Sequence, residues 1–554
     1  MADRRLVLAL LLTLVSFPAS AAAAKAPASS SSSSQLRVSL DAAARSVGQA
    51  LSALNAVPTV GPFPAGISSS RTLAAAARED CAELLGESLH LLAGAGAQGA
   101  ARDDAMAWLS AALTHHDTCA DGLAEAGVVS VADAAFPGLA AARAAVRDSL
   151  AMYAASTALG ANKDKDTGGG CGCGCRKNQT QQHDACGFPR WLPSTDRRLF
   201  LAPAAAFKAA AELVVAQDGT GTHATIGDAV RAAPECSARR TVIHVNAGRY
   251  DEIVRVGSKK TNLVFVGDGA NRTVVTGRRS AADNFTTFQT PTFAASGSGF
   301  MMRDMAVENT ADPVHRQAVA LGMQVVHLRE FLGRLTTHEL ENLHPYVALR
   351  VSGDRAVVHN CTVSGHQDTL YAHAGRHFYR DCDVYGTVDF VFGNAAAVLQ
   401  RCTLWSRAPL PKQDNTVTAQ GRCEPCQDTG LVLHHCRILP VAVDSSPAHR
   451  ANTYLGRPWR PYSRVVVMLS YIGPHVPPQG WMQWNDSAYA LDTLYFGEYR
   501  NGGPGAGVGG RVAWRGHRVI ADDAEAERFT VASFIAGASW LPDTGVTFGA
   551  GLSL

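Results

Sequence analysis

Two aspartates in the second half of the chain have a spacing that suits acid–base chemistry. Asp368 lies in Gln367-Asp-Thr-Leu-Tyr, and Asp389 lies 21 residues later in the apolar segment Val388-Asp-Phe-Val-Phe-Gly. If this spacing is one structural repeat, the two carboxyl groups face the same way at roughly 5 Å, where both cannot ionise freely. One can then attack as an anion while the other gives a proton. The alternative is two solvated turn aspartates, but an unpaired charge inside an apolar run is costly.

A repeat of short β-branched runs must position these aspartates. After residue 210, four such runs lead into a cysteine at a spacing near 20 residues, with one longer loop: Cys361, Cys382, Cys402 and Cys436. A period of this length in an all-β region is typical of stacked coils, so we predict a parallel β-helix. Equivalent cysteines on neighbouring coils lie about one strand spacing apart, and we expect a disulfide between Cys382 and Cys402.

The N-terminal part of the chain has a different texture. Residues 1–24 have the charged start, apolar middle and small-residue exit of a secretory signal peptide. Residues 35–160 carry Ala and Leu at helical spacing, which predicts a four-helix bundle, and Cys81 and Cys119 are placed to join two of its helices. Residues 161–198 read as a Gly/Cys-rich linker. No His follows its cysteines at zinc-finger spacing, so a metal site is not expected there: Cys171, Cys173, Cys175 and Cys186.

Composition and charge exclude several classes of protein. With 47% hydrophobic and 18% charged residues the chain should fold, and its net charge of +2 argues against a strongly basic nucleic-acid binder. After signal removal we expect no membrane partner and a secreted, extracellular protein. Export permits disulfides, but the 13 cysteines are an odd number, so at least one thiol is unpaired or intermolecular. Five glycosylation sequons suggest a glycoprotein: Asn178, Asn271, Asn284, Asn360 and Asn485.

Five motifs in order make residues 210–554 resemble plant pectin methylesterases. They are Gly248-Arg-Tyr-Asp-Glu, Gln317-Ala-Val-Ala-Leu, Gln367-Asp-Thr-Leu, Asp389-Phe-Val-Phe-Gly and Leu455-Gly-Arg-Pro-Trp. Residues 70–155 resemble the family's inhibitor-like pro-region. The resemblance implies a right-handed parallel β-helix in residues 199–554, and removal of the pro-region by a protease at Arg197-Arg198-Leu199. It also implies a plant cell-wall location, with methyl-esterified homogalacturonan as substrate.

The same resemblance assigns roles to individual residues. It implies that Asp389 is the nucleophile and that Asp368 protonates the departing methoxide and then activates water. Gln367 and Gln317 would donate hydrogen bonds to the oxyanion, with Gln317 also contacting substrate. Arg457 would hold the Asp389 carboxylate and contact substrate. The remaining substrate contacts are Thr287 and the flat face of Trp459. No metal or organic cofactor is expected.

A segment without counterpart in the family, residues 322–349, separates Gln317-Ala-Val-Ala-Leu from the continuation at Arg350. It ends in Val347-Ala-Leu, which repeats Val319-Ala-Leu. Two interpretations are open: an extruded loop or helix, or a stretch translated from an unremoved intron that damages the enzyme. The competing function is therefore an impaired, wall-binding or inhibitor-type protein. A lyase or glycosidase on the same architecture is a third possibility, but an inverting glycosidase needs carboxyl groups farther apart, at roughly 6.5–9.5 Å.

Overall fold

The computed structural model describes residues 32–56, 73–126, 129–156, 208–283, 285–311, 346–441, 451–484 and 487–553. The predicted signal peptide, the linker with its cysteines and dibasic site, Gln317 and most of the 322–349 segment lie outside these residues. No helix among the described residues is both long and apolar enough to cross a membrane.

The N-terminal helices form the predicted four-helix bundle. They are α1 (Ser32–Ala56), α2 (Leu73–Ala95), α3 (Arg102–Glu125) and α4 (Val129–Ser156). Leu84, Leu113 and Val146 are fully buried between them, because apolar residues recur every three to four positions. A disulfide joins Cys81 of α2 to Cys119 of α3, as the sequence suggested.

The rest of the described chain is built from short strands. The first fourteen are β1 (Leu213–Val215), β2 (Thr241–Val245), β3 (Gly248–Asp251), β4 (Val254–Val256), β5 (Leu263–Val266), β6 (Thr273–Gly277), β7 (Phe293–Ala295), β8 (Met301–Arg303), β9 (Ala306–Asn309), β10 (Leu349–Val351), β11 (Ala356–His359), β12 (Thr362–Ser364), β13 (Leu370–Ala372) and β14 (Arg376–Arg380). The others are β15 (Asp383–Gly386), β16 (Val391–Gly393), β17 (Ala396–Gln400), β18 (Thr403–Ser406), β19 (Asn415–Thr416), β20 (Thr418–Gln420), β21 (Gly430–His434), β22 (Arg437–Pro440), β23 (Thr453–Tyr454), β24 (Arg457–Pro458), β25 (Arg464–Met468), β26 (Tyr471–Ile472), β27 (Tyr495–Tyr499) and β28 (His517–Val519).

These strands form three long parallel sheets, which confirms the predicted parallel β-helix. The eleven-stranded sheet runs β1-β2-β5-β8-β11-β14-β17-β21-β25-β27-β28, the eight-stranded sheet β26-β22-β18-β15-β12-β9-β6-β3, and the seven-stranded sheet β24-β20-β16-β13-β10-β7-β4. The central coils contribute one strand to each sheet, as β11, β12 and β13 do. The apolar side chains between the sheets make a continuous core. In the part of this domain that the structure describes, three short α-helices flank the strands: α5 (Ile226–Ala232), α6 (Asp523–Glu527) and α7 (Val531–Phe534).

The cysteine alignment is right, but the predicted Cys382–Cys402 disulfide is wrong. Thr362, Asp383, Thr403 and Arg437 are register partners on successive strands, so the cysteines preceding them also stack. Both Cys382 and Cys402 are nevertheless free and buried. Strand spacing brings the two thiols near each other, but a disulfide also needs a specific orientation of both side chains, which the spacing does not set. Burial instead raises the pKa of both thiols.

The end of the 322–349 segment belongs to the β-helix. Leu349 opens β10 and pairs with Phe293 of β7 and Leu370 of β13. Ala348 donates its N–H to the Thr369 carbonyl at 2.9 Å, and Val347 accepts from Thr292. The repeated Val347-Ala-Leu therefore fills the place in the coil that the sequence assigned to Val319-Ala-Leu, and the strand begins before Arg350.

A glycine at the end of β16 tests how tightly the coils stack. Gly393 has a φ of +121°, and a Cβ added there would meet the Ala372 carbonyl oxygen at 2.1 Å. We expect Gly393→Ala to lower the free energy of unfolding by about 3 kcal/mol or more, because backbone of the adjacent coil must move. Chemical denaturation measures the change. Gly257→Ala is the control, since nothing lies within 4 Å of its added Cβ; equal effects of the two substitutions would contradict the prediction.

Candidate active site

The β-helix brings Asp368 and Asp389 to equivalent positions on adjacent coils. Leu370 and Val391, two residues after each aspartate, are register partners in the seven-stranded sheet. The Asp368 N–H donates to the Val388 carbonyl at 3.0 Å. Both aspartates have left-handed backbone, with φ of 59° and 52°, which a short polar side chain tolerates in a sharp turn into a strand. The carboxyl groups are thus one coil apart.

Asp389 is buried and bound by a planar cation. Arg457 donates from Nε to Oδ1 at 2.9 Å and from Nη2 to Oδ2 at 2.7 Å, a two-point contact. Thr416 accepts the Asp389 N–H at 2.8 Å and donates its hydroxyl to Oδ1 at 2.5 Å. The guanidinium of Arg457 lies over the Trp484 ring at 4.4 Å. These contacts fix one carboxylate in a single orientation.

The environment of Asp368 differs from that of Asp389. Burial, followed by the negative charge of Asp389, raises the pKa of Asp368 well above its ordinary value, and Arg457 only partly opposes this. The raised pKa favours the protonated form of Asp368, beside the Asp389 carboxyl group that Arg457 binds. Such a division between neighbouring carboxyl groups supplies one nucleophile and one acid.

Of the other predicted site residues, three lie in the described part of the chain and one lies outside it. Gln367 is half-buried and directly precedes Asp368, and Trp459 is half-buried two residues beyond Arg457. The Trp459 ring centre is 6.1 Å from that of Phe392. Thr287 opens the single-turn helix Thr287–Gln289, which precedes β7. Gln317 lies outside the described residues, so its predicted role stays a prediction.

Sequence reasoning missed a row of side chains along the seven-stranded sheet. Arg350, Tyr371, Phe392, Ala419 and Arg457 are register partners on five successive strands. The Tyr371 and Phe392 rings stack at 4.2 Å, giving a flat apolar surface beside the aspartates. The signal that could have found the row was the third residue after each aspartate, aromatic in both motifs.

The helical bundle covers this row. In one apolar cluster, Leu113 and Leu123 of the bundle pack with Tyr371, Phe392 and Ala419 of the seven-stranded sheet. Thr118 of α3 is hydrogen bonded to His373 at 2.9 Å, and the His115 and His373 rings stack at 5.4 Å. The candidate active site is therefore occluded by α2 and α3 in this state of the molecule.

Carboxylates of the bundle take hydrogen bonds from groups beside the site. Asp80 of α2 is buried and accepts from the Thr286 hydroxyl and from the Gln289 amide. Asp121 of α3 accepts from Arg460 at 2.5 Å. These long-range pairs have no periodic signature, which is why the sequence did not reveal them.

Titratable groups at this contact predict a pH dependence of docking. Burial, then Glu83, raises the pKa of Glu87 to about 7, with Arg350 opposing. Burial, then His116 and Arg350, lowers the pKa of His115 to about 3. Protonated Glu87 favours docking, so its contribution is full below about 4.5 and is lost as pH rises through 7. Neutral His115 favours docking, so its contribution is full above about 6.5 and is lost as pH falls.

We therefore expect the bundle to hold the site most tightly between about pH 4.5 and 6.5. The measurement is the activity of the full chain against pH, relative to enzyme freed of the bundle. The glutamine of Glu87→Gln cannot ionise, so the bundle of this variant should stay docked as the pH rises through 7. Glu79→Gln on the same helix is the control. An alkaline limb that is unchanged in Glu87→Gln would contradict this assignment.

Comparison with known proteins identifies the family of each domain. The family model described as pectinesterase matches residues 212–328 and 338–538, and the model described as plant invertase/pectin methylesterase inhibitor matches residues 13–159. The chain belongs to the pectinesterase family, with an inhibitor-family domain ahead of the enzyme domain.

Individual relatives agree with this assignment. The chain is 44% identical to a probable pectinesterase/pectinesterase inhibitor 34 of Arabidopsis thaliana, over 87% of this chain and 75% of that protein. It is 41% identical to pectinesterase 2.2 of Solanum lycopersicum, over 90% of this chain and 82% of that protein. Pectin methylesterase from carrot matches with a TM-score of 0.55 and 44% identity, covering 62% of this chain and 98% of that one. The impaired-protein alternative is not favoured by these matches.

Proposed function

We propose that the chain hydrolyses the methyl esters of homogalacturonan, releasing methanol and leaving de-esterified pectate in the plant cell wall. The observation that carries the proposal is the carboxyl pair on adjacent coils, with Asp389 bound by Arg457 and the pKa of Asp368 raised. The stacked Tyr371 and Phe392 rings give a surface for sugar rings next to that pair.

The chemistry follows from the two protonation states. The Asp389 carboxylate attacks the ester carbonyl, and the carbonyl electron pair moves onto oxygen. When the tetrahedral species collapses, the C–OCH3 bond breaks and Asp368 protonates the methoxide, leaving an acyl–Asp389 anhydride. Asp368, now ionised, takes a proton from water, which attacks the anhydride and restores both aspartates. We assign Gln367 and Gln317 as donors to the oxyanion, and Thr287, Gln317, Arg457 and Trp459 as substrate contacts.

We also propose that the bundle keeps the enzyme latent until a protease cuts the linker at Arg197-Arg198-Leu199. The burial of Tyr371 and Phe392 against the bundle supports this, because substrate cannot reach a covered surface. The test is methanol release from methyl-esterified pectin by the full chain and by the cut, separated enzyme domain. Methanol from the cut form alone is expected; none from either folded form would overturn the proposal, and unsaturated sugar ends would indicate a lyase.

The fork of Arg457 gives a sharper test of the mechanism. Arg457→Lys keeps the charge but loses the second parallel hydrogen bond to Asp389, so we expect kcat of the cut enzyme to fall roughly 10²-fold. KM should change less than kcat, because the lysine keeps a positive charge that can contact substrate, whereas the two-point hold on the nucleophile is lost. Arg437→Lys, an exposed residue on the eight-stranded sheet, is the control. A kcat within twofold of the parent would contradict the role given to Arg457.

A further inference from the structure

An arginine stands in the outward-facing row of the seven-stranded sheet, one coil before the aromatic surface. Leu349 and Val351 of β10 pack in the core of the β-helix, so Arg350 between them points to the opposite side of the strand. That is the side on which Tyr371 packs against the bundle. Arg350 and Tyr371 are register partners, so their backbones are about 4.8 Å apart.

The guanidinium of Arg350 is buried with donors that it does not use. Its carbon lies 3.2 Å from the centre of the Phe288 ring, which covers one face of the cation. Phe288 directly follows Thr287, one of the assigned substrate contacts. Nε and Nη1 of Arg350 have no hydrogen-bond partner among the described residues. Buried donors without an acceptor are costly, and a carboxylate is the acceptor that a guanidinium binds best.

Acidic side chains of the bundle face this arginine in the docked state. The acidic groups whose charges act on Arg350 are Asp80, Glu83 and Glu87 of α2. They follow each other at intervals of three and four residues, so they share one side of the helix. The bundle thus meets the arginine with a line of carboxyl groups, and departure of the bundle takes that line away.

A second arginine stands on the same side of the sheet. Arg255 of β4 and Arg350 are both register partners of Ala294, so they are two coils apart, at about 10 Å. Arg255 is exposed, and its charge also acts on Asp80 of α2. Arg255 and Arg350 form a cationic arm that lies on the β4 side of the two aspartates.

We propose that this arginine arm binds free carboxylates of galacturonan beside the ester being hydrolysed, so that Arg350 and Arg255 set which esters are chosen. The inference rests on the proposed function and assigns the substrate charge that its site selects. A methyl ester is uncharged, whereas each free galacturonate unit carries one negative charge, so the arm favours de-esterified neighbours on the β4 side. In the latent chain the carboxyl groups of α2 occupy the place of those carboxylates.

The arm is tested first by binding, which needs no turnover. Because 62% of this chain covers 98% of carrot pectin methylesterase, the β-helix is a folding unit by itself. Fully de-esterified hexagalacturonate, titrated by calorimetry into the cut, separated enzyme domain, should bind saturably. We expect Arg350→Gln to weaken this binding about 3- to 10-fold. Arg437→Gln, an exposed residue on the eight-stranded sheet, is the control and should bind as the parent does.

The second test is the ratio of kcat/KM on partly de-esterified pectin to kcat/KM on fully methyl-esterified pectin. The ratio should fall about 3- to 10-fold in Arg350→Gln and less in Arg350→Lys, which keeps the charge. A purely structural role of Arg350 would lower both rates alike and leave the ratio unchanged. Arg255→Gln gives the same readout at an exposed side chain, where substitution disturbs the fold little.

Two results would overturn the proposal. One is hexagalacturonate binding that is unchanged in both Arg350→Gln and Arg255→Gln, or weakened as much by Arg437→Gln, which would show general attraction of a polyanion. The other is a parental ratio of kcat/KM in both arm variants. Methanol release without hexagalacturonate binding would refute the arm alone, whereas binding through the arm without methanol release would refute the proposed function alone.

Discussion

Asp389→Asn should reduce methanol release by the cut enzyme roughly 10⁴-fold or more, the scale of losing a catalytic nucleophile. An amide keeps the size of the side chain, and it can still hydrogen bond to Thr416, but it cannot attack the ester carbonyl. The coil should remain intact, because Asp389 is fixed through its backbone N–H as well as its carboxylate. Methanol release and unfolding by denaturant, measured on the same preparation, separate lost chemistry from lost structure.

The matched control for this substitution is Asp383→Asn. Asp383 lies on the preceding strand of the eight-stranded sheet, where it accepts from the Trp405 indole at 2.8 Å, away from the carboxyl pair. The Asp383→Asn variant should retain near-parental methanol release. If Asp389→Asn keeps more than about a hundredth of the parental rate, Asp389 is not the nucleophile, and direct attack by a water molecule would have to be considered.

The second large effect is expected from releasing the bundle. Asp121→Lys places a like charge against Arg460, and Asp80→Ala removes the buried acceptor of Thr286 and Gln289. Removing one partner of a buried, charged hydrogen-bonded set costs about 3–5 kcal/mol. We therefore expect the double variant of the full chain to release methanol about 10²-fold faster than the parental full chain, approaching the cut enzyme.

Asp148→Lys on α4 is the control for bundle charge, because the Asp148 side chain is 65% exposed and forms an ion pair with Arg147 of the same helix. Circular dichroism should show that the double variant keeps its helices. A double variant as silent as the parent would mean that the contacts of Asp80 and Asp121 do not hold the bundle in place. A parental full chain as active as the cut enzyme would mean that the docked bundle does not inhibit.

The sequence predicted those features that repeat along the chain. The period near 20 residues placed Asp368 one coil from Asp389, and the register of Leu370 with Val391 has this spacing. The same period aligned the cysteines but could not give their bonding, because a disulfide also depends on the orientation of the two side chains. Contacts between the domains could not be predicted from the sequence either, because residues such as Asp80 and Thr286 are 206 positions apart and share no motif.

The 322–349 segment shows a further limit. Sequence comparison joined Leu321 to Arg350, yet the strand is completed by Leu349 and the residues before it. Counting back along that strand, residue 345 is a proline where the motif would require the glutamine. The oxyanion role of Gln317 therefore has the least structural support among the site assignments, whereas Gln367 directly precedes Asp368 in the chain.

The most direct measurement of the central assignment is the titration of Asp368 by carbon NMR of aspartate-labelled protein, with Asp368→Asn identifying its signal. The Asp389 charge contributes to the raised pKa of Asp368. The structure therefore predicts that Asp368 titrates well above the ordinary aspartate range and shifts downward in Asp389→Asn. An ordinary pKa of Asp368 in the parent, or one that does not respond to Asp389→Asn, would contradict a carboxyl pair in which Asp368 is the acid and Asp389 the nucleophile.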